Sequence, residues 1–331
     1  MKILFMGTPD FSVPSLEAVV AAGPEGVAVV TVGKRHISLL AAGHEVVAVV
    51  TQPDKQRGRG KTVSFSPVKE KALELGLPVL QPESVRDESV IKTLTDLQAQ
   101  IIVVIAYGKI LPSQILTAAP YGCINIHASL LPKYRGAAPI QYAVLNGDEY
   151  SGISIMKLDE GMDTGDVLLQ EKIRLAPDET TGSLFEKLSL LGKDALLKVL
   201  ADPDAYEKNA VCQNHEAATY TQKIDKSMAR INWQEDAIVI ERTVRTLEPS
   251  PGAYTFFDKK RLKIHGAHTA QAHTDNAPGT IISISKSDFT VQTGAGALKV
   301  TAVQPESRKT MTTAQFLQSH DLQVGTVLGV E

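Results

Sequence analysis

The chain has 331 residues, 43% of them hydrophobic and 21% charged, with a formal net charge of −3. That composition excludes a disordered, collagen-like or uniformly basic nucleic-acid-coating protein, and the length points to two domains. Two cysteines, Cys123 and Cys212, are too few for a disulfide scaffold and lack zinc-site spacing; their scarcity fits a reducing compartment. No apolar run approaches the roughly 18 residues of a membrane span. The short apolar start meets Pro9 and Asp10, so no secretory signal is read, and a cytoplasmic protein without membrane attachment is expected.

Lys2–Met6 reads as a buried parallel strand, broken by Gly7-Thr8-Pro9-Asp10 and followed by a helix from Pro14 to Ala22. Strand-like runs recur at Val46–Thr51, Pro78–Gln81, Ile101–Ala106, Gly122–His127, Ser154–Leu158 and Asp166–Ile173. Helical patterns fall at Val68–Leu75, Glu88–Leu97 and Thr181–Leu200. Strands alternating with helices predict an α/β fold, an open and mostly parallel Rossmann-like sheet with helices on both faces. The pattern then changes: Ala210–Lys226 is polar and weakly periodic and reads as a linker. Beyond it come a helix over Ala237–Thr246 and five short β-like runs, at Ala253–Phe257, Leu262–Ala267, Gly279–Ile284, Phe289–Thr293 and Ala297–Val303. These predict a small C-terminal barrel of the OB type. The expected division is 1–208, a linker over 209–226, and 227–331.

One local repeat interrupts the N-terminal part. Ala21-Ala22-Gly23 recurs as Ala41-Ala42-Gly43, and Val27–Thr31 recurs as Val47–Thr51, with Glu25 matching Glu45 in the same register. The constant offset of twenty residues indicates a tandem duplication near 24–43. Two arrangements could house it, and the favoured one keeps Val46–Thr51 in the sheet, continuous with helical packing from Ile37 to Leu40. The first copy, near Pro24–Arg35, is then extruded and weakly packed.

Few residues can do chemistry. Gly7-Thr8-Pro9-Asp10-Phe11 stands where a dinucleotide phosphate would sit, but it has one glycine where three are needed and a proline in place of a donor. Asn125 and His127 lie two apart at the end of a strand, on one side of it, where open α/β sheets keep their ligands. An amide donor beside an imidazole suits an oxyanion developing at a carbonyl. The acidic stretch Asp159–Asp166 could supply a carboxylate to orient the imidazole, though spacing does not choose among its acids and calcium-loop spacing is missing. Lys55–Lys61 is a basic, glycine-flanked loop suited either to solvent or to phosphates. A second basic cluster, Lys259-Lys260-Arg261 with Lys263, comes after Phe256 and Phe257.

Three stretches resemble the methionyl-tRNA formyltransferases: Phe5–Phe11, Asn125–Ile140 and Met156–Gly165. Glu248–Tyr254 is similar to that family's entry into its C-terminal barrel. The resemblance implies a catalytic trio of Asn125, His127 and Asp163. It implies a folate-contacting loop at Ser129, Leu130, Leu131 and Pro132, and a tRNA-binding loop carrying Arg57, Arg59 and Lys61. It also implies formyl transfer from 10-formyltetrahydrofolate, as cosubstrate, to the α-amine of initiator methionyl-tRNA, with no tightly bound cofactor and no metal, by a monomer. Two features depart from the family pattern: the duplication, and Ser250 where an aromatic is common. Competing readings are a formyltransferase acting on an amino-sugar nucleotide and a non-catalytic RNA-binding protein.

Overall fold

The computed structural model describes residues 1–23, 28–32, 35–39, 43–57, 62–272 and 275–330. The chain divides into two compact units. One comprises Met1–Gly136, Ser151–Ile173 and Phe185–Thr221; the other comprises Ala137–Tyr150, Arg174–Leu184 and Gln222–Glu331.

The first unit is built on a seven-stranded sheet. Its strand order is Val167–Arg174, Tyr150–Lys157, Cys123–His127, Ile101–Ile105, Lys2–Gly7, Glu45–Val50 and Val79–Leu80. The five strands from Cys123–His127 to Val79–Leu80 pair in parallel, and Tyr150–Lys157 runs antiparallel to Cys123–His127. The reason is legible in the residues. Ile3 to Met6 and Ile101 to Ile105 are apolar without alternation, and all are buried, as strands covered on both faces require. The first helix begins at Val13 with Pro14 in its opening turn, and Ser12 Oγ donates to the carbonyl of Ile105 at 2.7 Å. Side chains also knit the carboxyl ends of the strands together: Gln52 Nε2 and Thr8 Oγ1 both donate to the Tyr107 carbonyl, at 2.8 and 3.3 Å.

The duplication resolves as favoured. Glu45–Val50 pairs with Lys2–Gly7 in the sheet, whereas Ala28–Val32 pairs antiparallel with Arg35–Leu39 in a separate two-stranded hairpin. The helical packing expected from Ile37 to Leu40 is replaced by strand through Leu39, because the first copy needs a partner of its own. The remaining residues of the repeat, at 24–27, 33–34 and 40–42, lie outside the described residues, and with them the expectation of weak packing there. The excursion leaves and returns at one point. His44 N–H donates to the Ala22 carbonyl at 3.4 Å, and the Gly43 carbonyl accepts the N-terminal ammonium at 2.8 Å.

The stretch expected to be a linker is structured. Val211 bridges Val167, Gln213 is buried, and Tyr220–Thr221 pairs in parallel with Arg135–Gly136, all within the first unit. The second unit carries a six-stranded antiparallel sheet. Its strands are Ala253–Phe257, Lys260–Ala270, Ala297–Pro305, Phe289–Gln292 and Ile281–Ile284 in spatial order, with Met311–Thr312 beside Ala297–Pro305. Among the described residues no ladder joins its two outer strands. Its core includes Trp233, Ile264, Phe289, Val300 and Phe316. Pro139–Leu145 packs on Ala237–Thr246, and Thr181 Oγ1 donates to the Thr246 carbonyl at 2.7 Å. Helix Thr313–Ser319, absent from the sequence expectations, opens with a capping box of Thr312 and Gln315.

Two outcomes are expected. Deleting 24–43 joins Gly23 to His44 and recreates the Ala-Ala-Gly-His-Glu run of 41–45. Gly23 can take over the left-handed conformation of Gly43, whose φ is +62°. Urea unfolding should show no loss of stability beyond about 1 kcal/mol, since the closure entropy of the excursion disappears with it; a loss above roughly 3 kcal/mol would make the hairpin integral to the unit. The second concerns His265, whose Nδ1 lies 2.6 Å from Glu248 Oε2. Hydrogen bonding to Glu248 raises the imidazole above its usual value, against the opposing effect of burial. The pair therefore adds stability below about pH 6.5, and that increment fades as pH rises through the raised value. Thermal unfolding across pH 5–9 should show His265→Gln losing this dependence; a constant gap from wild type at every pH would contradict it.

Candidate active site

The strand Cys123–His127 places Asn125 and His127 on one side at its carboxyl end, as alternation requires. Asn125 is half-buried, and its amide hydrogen-bonds to none of the described residues. His127 is buried. Its Nε2 lies 2.9 Å from the Tyr134 carbonyl, and a carbonyl can only accept, so Nε2 carries the proton. Nδ1 then remains for chemistry. It faces Asp163 Oδ2 at 3.7 Å, beyond a hydrogen bond but within ion-pair range of an imidazolium. The same Oδ2 accepts the Gly136 N–H at 2.7 Å. The fold thus selects one acid from the 159–166 stretch. Asp159 instead caps its own turn, accepting from Gly161 N–H and Thr164 Oγ1.

Ser129 to Pro132 comes directly after, and the structure reveals how it is held. Ser154 Oγ donates to the Ser129 carbonyl at 2.7 Å and accepts the Leu131 N–H at 3.0 Å. Gln170 Nε2 donates to Ser154 Oγ at 2.9 Å and to the Leu131 carbonyl at 2.8 Å. Ser129 Oγ closes the turn onto the Lys133 carbonyl at 2.6 Å. Ser154, Gln170, Tyr134 and Gly136 are parts of the site that the sequence reading misses. For Ser154 a signal exists, a hydroxyl between Ile153 and Ile155 in the strand that pairs opposite His127.

Of the basic loop, Lys55–Arg57 pairs with Thr62–Ser64 in a short hairpin. Arg59 and Lys61 lie outside the described residues, as does the expectation that they are exposed and mobile. The loop's base is pinned: Asp54 accepts from Lys69 Nζ at 2.5 Å and from Gln81 Nε2 at 2.8 Å. Hydrogen bonds from Lys69 and Gln81 hold the Asp54 carboxyl below its usual range. In the second unit Lys259, Lys260 and Arg261 are exposed, with the Arg261 guanidinium 4.2 Å from the Tyr254 ring centre. Lys263 instead donates to the Pro251 carbonyl. Burial pushes the Cys123 thiol up to about 12, so it offers no thiolate nucleophile at neutral pH. Among the described residues no group of three acidic, His or Cys side chains could hold a metal, and no helix is long and apolar enough to cross a membrane.

A family model described as formyl transferase matches residues 18–200, and one for the formyl transferase C-terminal domain matches 223–321. The chain belongs to the formyl transferase family. It is 46% identical over 326 residues to the methionyl-tRNA formyltransferase of Agathobacter rectalis, covering 98% of this chain and 99% of that one. It is 44% identical to that of Lachnospira eligens, covering 99% and 100%. Among solved structures, the sugar 3N-formyl transferase WlaRD superposes with a TM-score of 0.60 at 16% identity, over 93% of this chain and 99% of that one. HypX from Aquifex aeolicus, in complex with tetrahydrofolic acid, gives 0.53 at 16% identity, over 78% and 47%. At that identity the structures share the fold.

Gly136 combines a left-handed backbone with a close approach to the chain beside it. Its φ is +103°, and a Cβ there would lie 2.6 Å from the Thr221 carbonyl oxygen. Gly136→Ala should therefore destabilise the first unit by about 1–3 kcal/mol in urea unfolding, with loss of formyl transfer as the Asp163 anchor moves. Stability and activity equal to wild type would contradict this geometry.

Proposed function

We propose that the protein transfers the formyl group of 10-formyltetrahydrofolate to the α-amine of initiator methionyl-tRNA. The near full-length likeness to methionyl-tRNA formyltransferases, across both matched regions, carries this reading. The site geometry supports the chemistry. The amine attacks the formyl carbon, and a tetrahedral oxyanion forms. The open amide of Asn125 and a proton on His127 Nδ1 serve as its donors, worth roughly 10²–10³ in turnover for each donor. Asp163 orients the imidazolium and takes the proton lost by the amine, directly or through one water. The bond from the formyl carbon to N10 then breaks, and the proton passes to N10.

Ser129, Leu130, Leu131 and Pro132 line the folate as a cosubstrate loop, kept in shape by Ser154 and Gln170. Arg57, Arg59 and Lys61, together with Lys259, Lys260 and Arg261 of the C-terminal domain, meet tRNA phosphates. The protein works as a monomer in the cytoplasm, where charged tRNA is supplied.

Transfer of labelled formyl from 10-formyltetrahydrofolate to methionyl-tRNA, against an amino-sugar nucleotide as competing acceptor, tests the assignment. Methionyl-tRNA should be the acceptor, and His127→Ala should lower kcat by at least about 10²-fold with an unchanged circular dichroism spectrum. Labelling of the sugar alone, or wild-type turnover in the variant, would overturn it.

A further inference from the structure

Among the described residues Arg135 is the largest fully buried side chain. No carboxylate lies within ion-pair distance of it among the described residues. Its partners are all uncharged or weakly basic: Gln213 Oε1, at 3.1 Å from Nε and 2.7 Å from Nη2; Tyr220 OH, at 3.3 Å from Nη1; and His215 Nδ1, at 3.2 Å from Nη2. Burying a cation without a counter-charge is unfavourable, and a glutamate at 213 would offset much of that penalty. The chain has glutamine.

The other end of that glutamine supplies the reason. Gln213 Nε2 donates to the carbonyl of Asp163 at 2.9 Å and to that of Gly165 at 2.7 Å. Both donors and the acceptor of the amide are thereby used, and a carboxylate could make only the half that faces Arg135. Hydrogen bonding to a cation polarises the amide and strengthens its N–H groups as donors. Those donors fall on the turn where Asp163 adopts φ +53°, a left-handed conformation uncommon outside glycine.

We propose that Arg135 and Gln213 are positioning residues, an uncompensated cation and a bridging amide that together hold the Asp163 turn in its working conformation. Neither touches the reacting groups; both act through Asp163. The proposal rests on Asp163 and His127 being catalytic, as proposed above.

The test uses the full-length chain and three proteins: wild type, Gln213→Glu and Arg135→Lys. Gln213→Glu supplies the missing counter-charge and removes the two donors. It should melt at or above the wild-type temperature while kcat falls about 10–100-fold, with KM for folate and for tRNA within about threefold of wild type. Arg135→Lys keeps the charge and loses the fork, and should lower kcat in the same way by a smaller factor. A kcat within threefold of wild type in folded Gln213→Glu, or a loss expressed in KM, would overturn the proposal. If Gln213→Glu does not fold, Arg135→Lys decides by the same criterion. If wild type itself does not formylate methionyl-tRNA, the functional reading fails separately. The ring-nitrogen NMR shifts of His127 then decide: the proposal expects them to change in Gln213→Glu as Asp163 moves, and identical shifts overturn it.

Discussion

A single tripeptide, Tyr134-Arg135-Gly136, fixes the relation between imidazole and carboxylate. The Tyr134 carbonyl receives His127 Nε2, and the Gly136 N–H holds Asp163 Oδ2. His127 ends one strand, and Asp163 belongs to a turn between two others, so neither strand alone sets their separation. The separation is set by backbone groups two residues apart, whose own conformations are unusual. Tyr134 has φ +65° and Gly136 +103°. Glycine adopts positive φ freely, but Tyr134 keeps it only where the surroundings over-determine it. Here the tripeptide is held from outside by Thr219 Oγ1 on the Tyr134 N–H, the Thr219 carbonyl on the Arg135 N–H, and Thr221 Oγ1 on the Arg135 carbonyl. A segment far downstream in the chain is thus part of the site's geometry.

The same preference for polar scaffolding over apolar packing marks the loop from Ser129 to Pro132. Ser154 is fully buried, yet its hydroxyl makes three hydrogen bonds, one of them from Gln170, which also donates to the Leu131 carbonyl. Apolar residues of similar volume would fill these positions at less desolvation cost. They would not fix the direction of the carbonyls of Ser129 and Leu131. Directional hydrogen bonds specify one loop conformation where dispersion tolerates several. The site therefore accepts a cost in stability for precision, in surroundings where Ile3 to Met6 and Ile101 to Ile105 supply an ample core.

How much of the molecule is legible in its residues depends on the range of the interactions. The apolar runs Lys2–Met6 and Ile101–Ala106 locate strands to within a residue, because burial on both faces leaves an unbroken local pattern. The helix Ala237–Thr246 has the bounds its pattern predicts. Asn125 and His127 are visible as a strand-end pair. Asp163 is not visible from spacing, since the acids around it are equivalent until Gly136 and Gln213 select one. Gln213 is hidden in a polar stretch that reads as a linker, and its importance lies in partners distant in the chain, Asp163 and Arg135. Ile37–Leu40 reads as helix but forms strand through Leu39, because a hairpin partner for the first repeat copy is a tertiary choice that no local propensity encodes.

The duplication shows that choice in its plainest form. Val27–Thr31 and Val47–Thr51 are the same pentapeptide, so their intrinsic strand preference is identical. One slot beside Lys2–Gly7 must be filled, and the second copy fills it. The copies differ in the residues that come after them. Beyond Thr51, Gln52 reaches the Tyr107 carbonyl, and Asp54 is gripped by Lys69 and Gln81. Beyond Thr31 come Val32, Gly33 and Lys34, none of which could reproduce those bonds. Placing the first copy in the slot would take the Gln52 amide from the Tyr107 carbonyl, leaving it the longer bond from Thr8, and would leave Lys69 without its carboxylate. The register of the sheet is therefore decided at the carboxyl ends of its strands. The residues that select the copy, Gln52 and Asp54, also anchor the base of the Lys55–Arg57 hairpin, so one set of bonds fixes both.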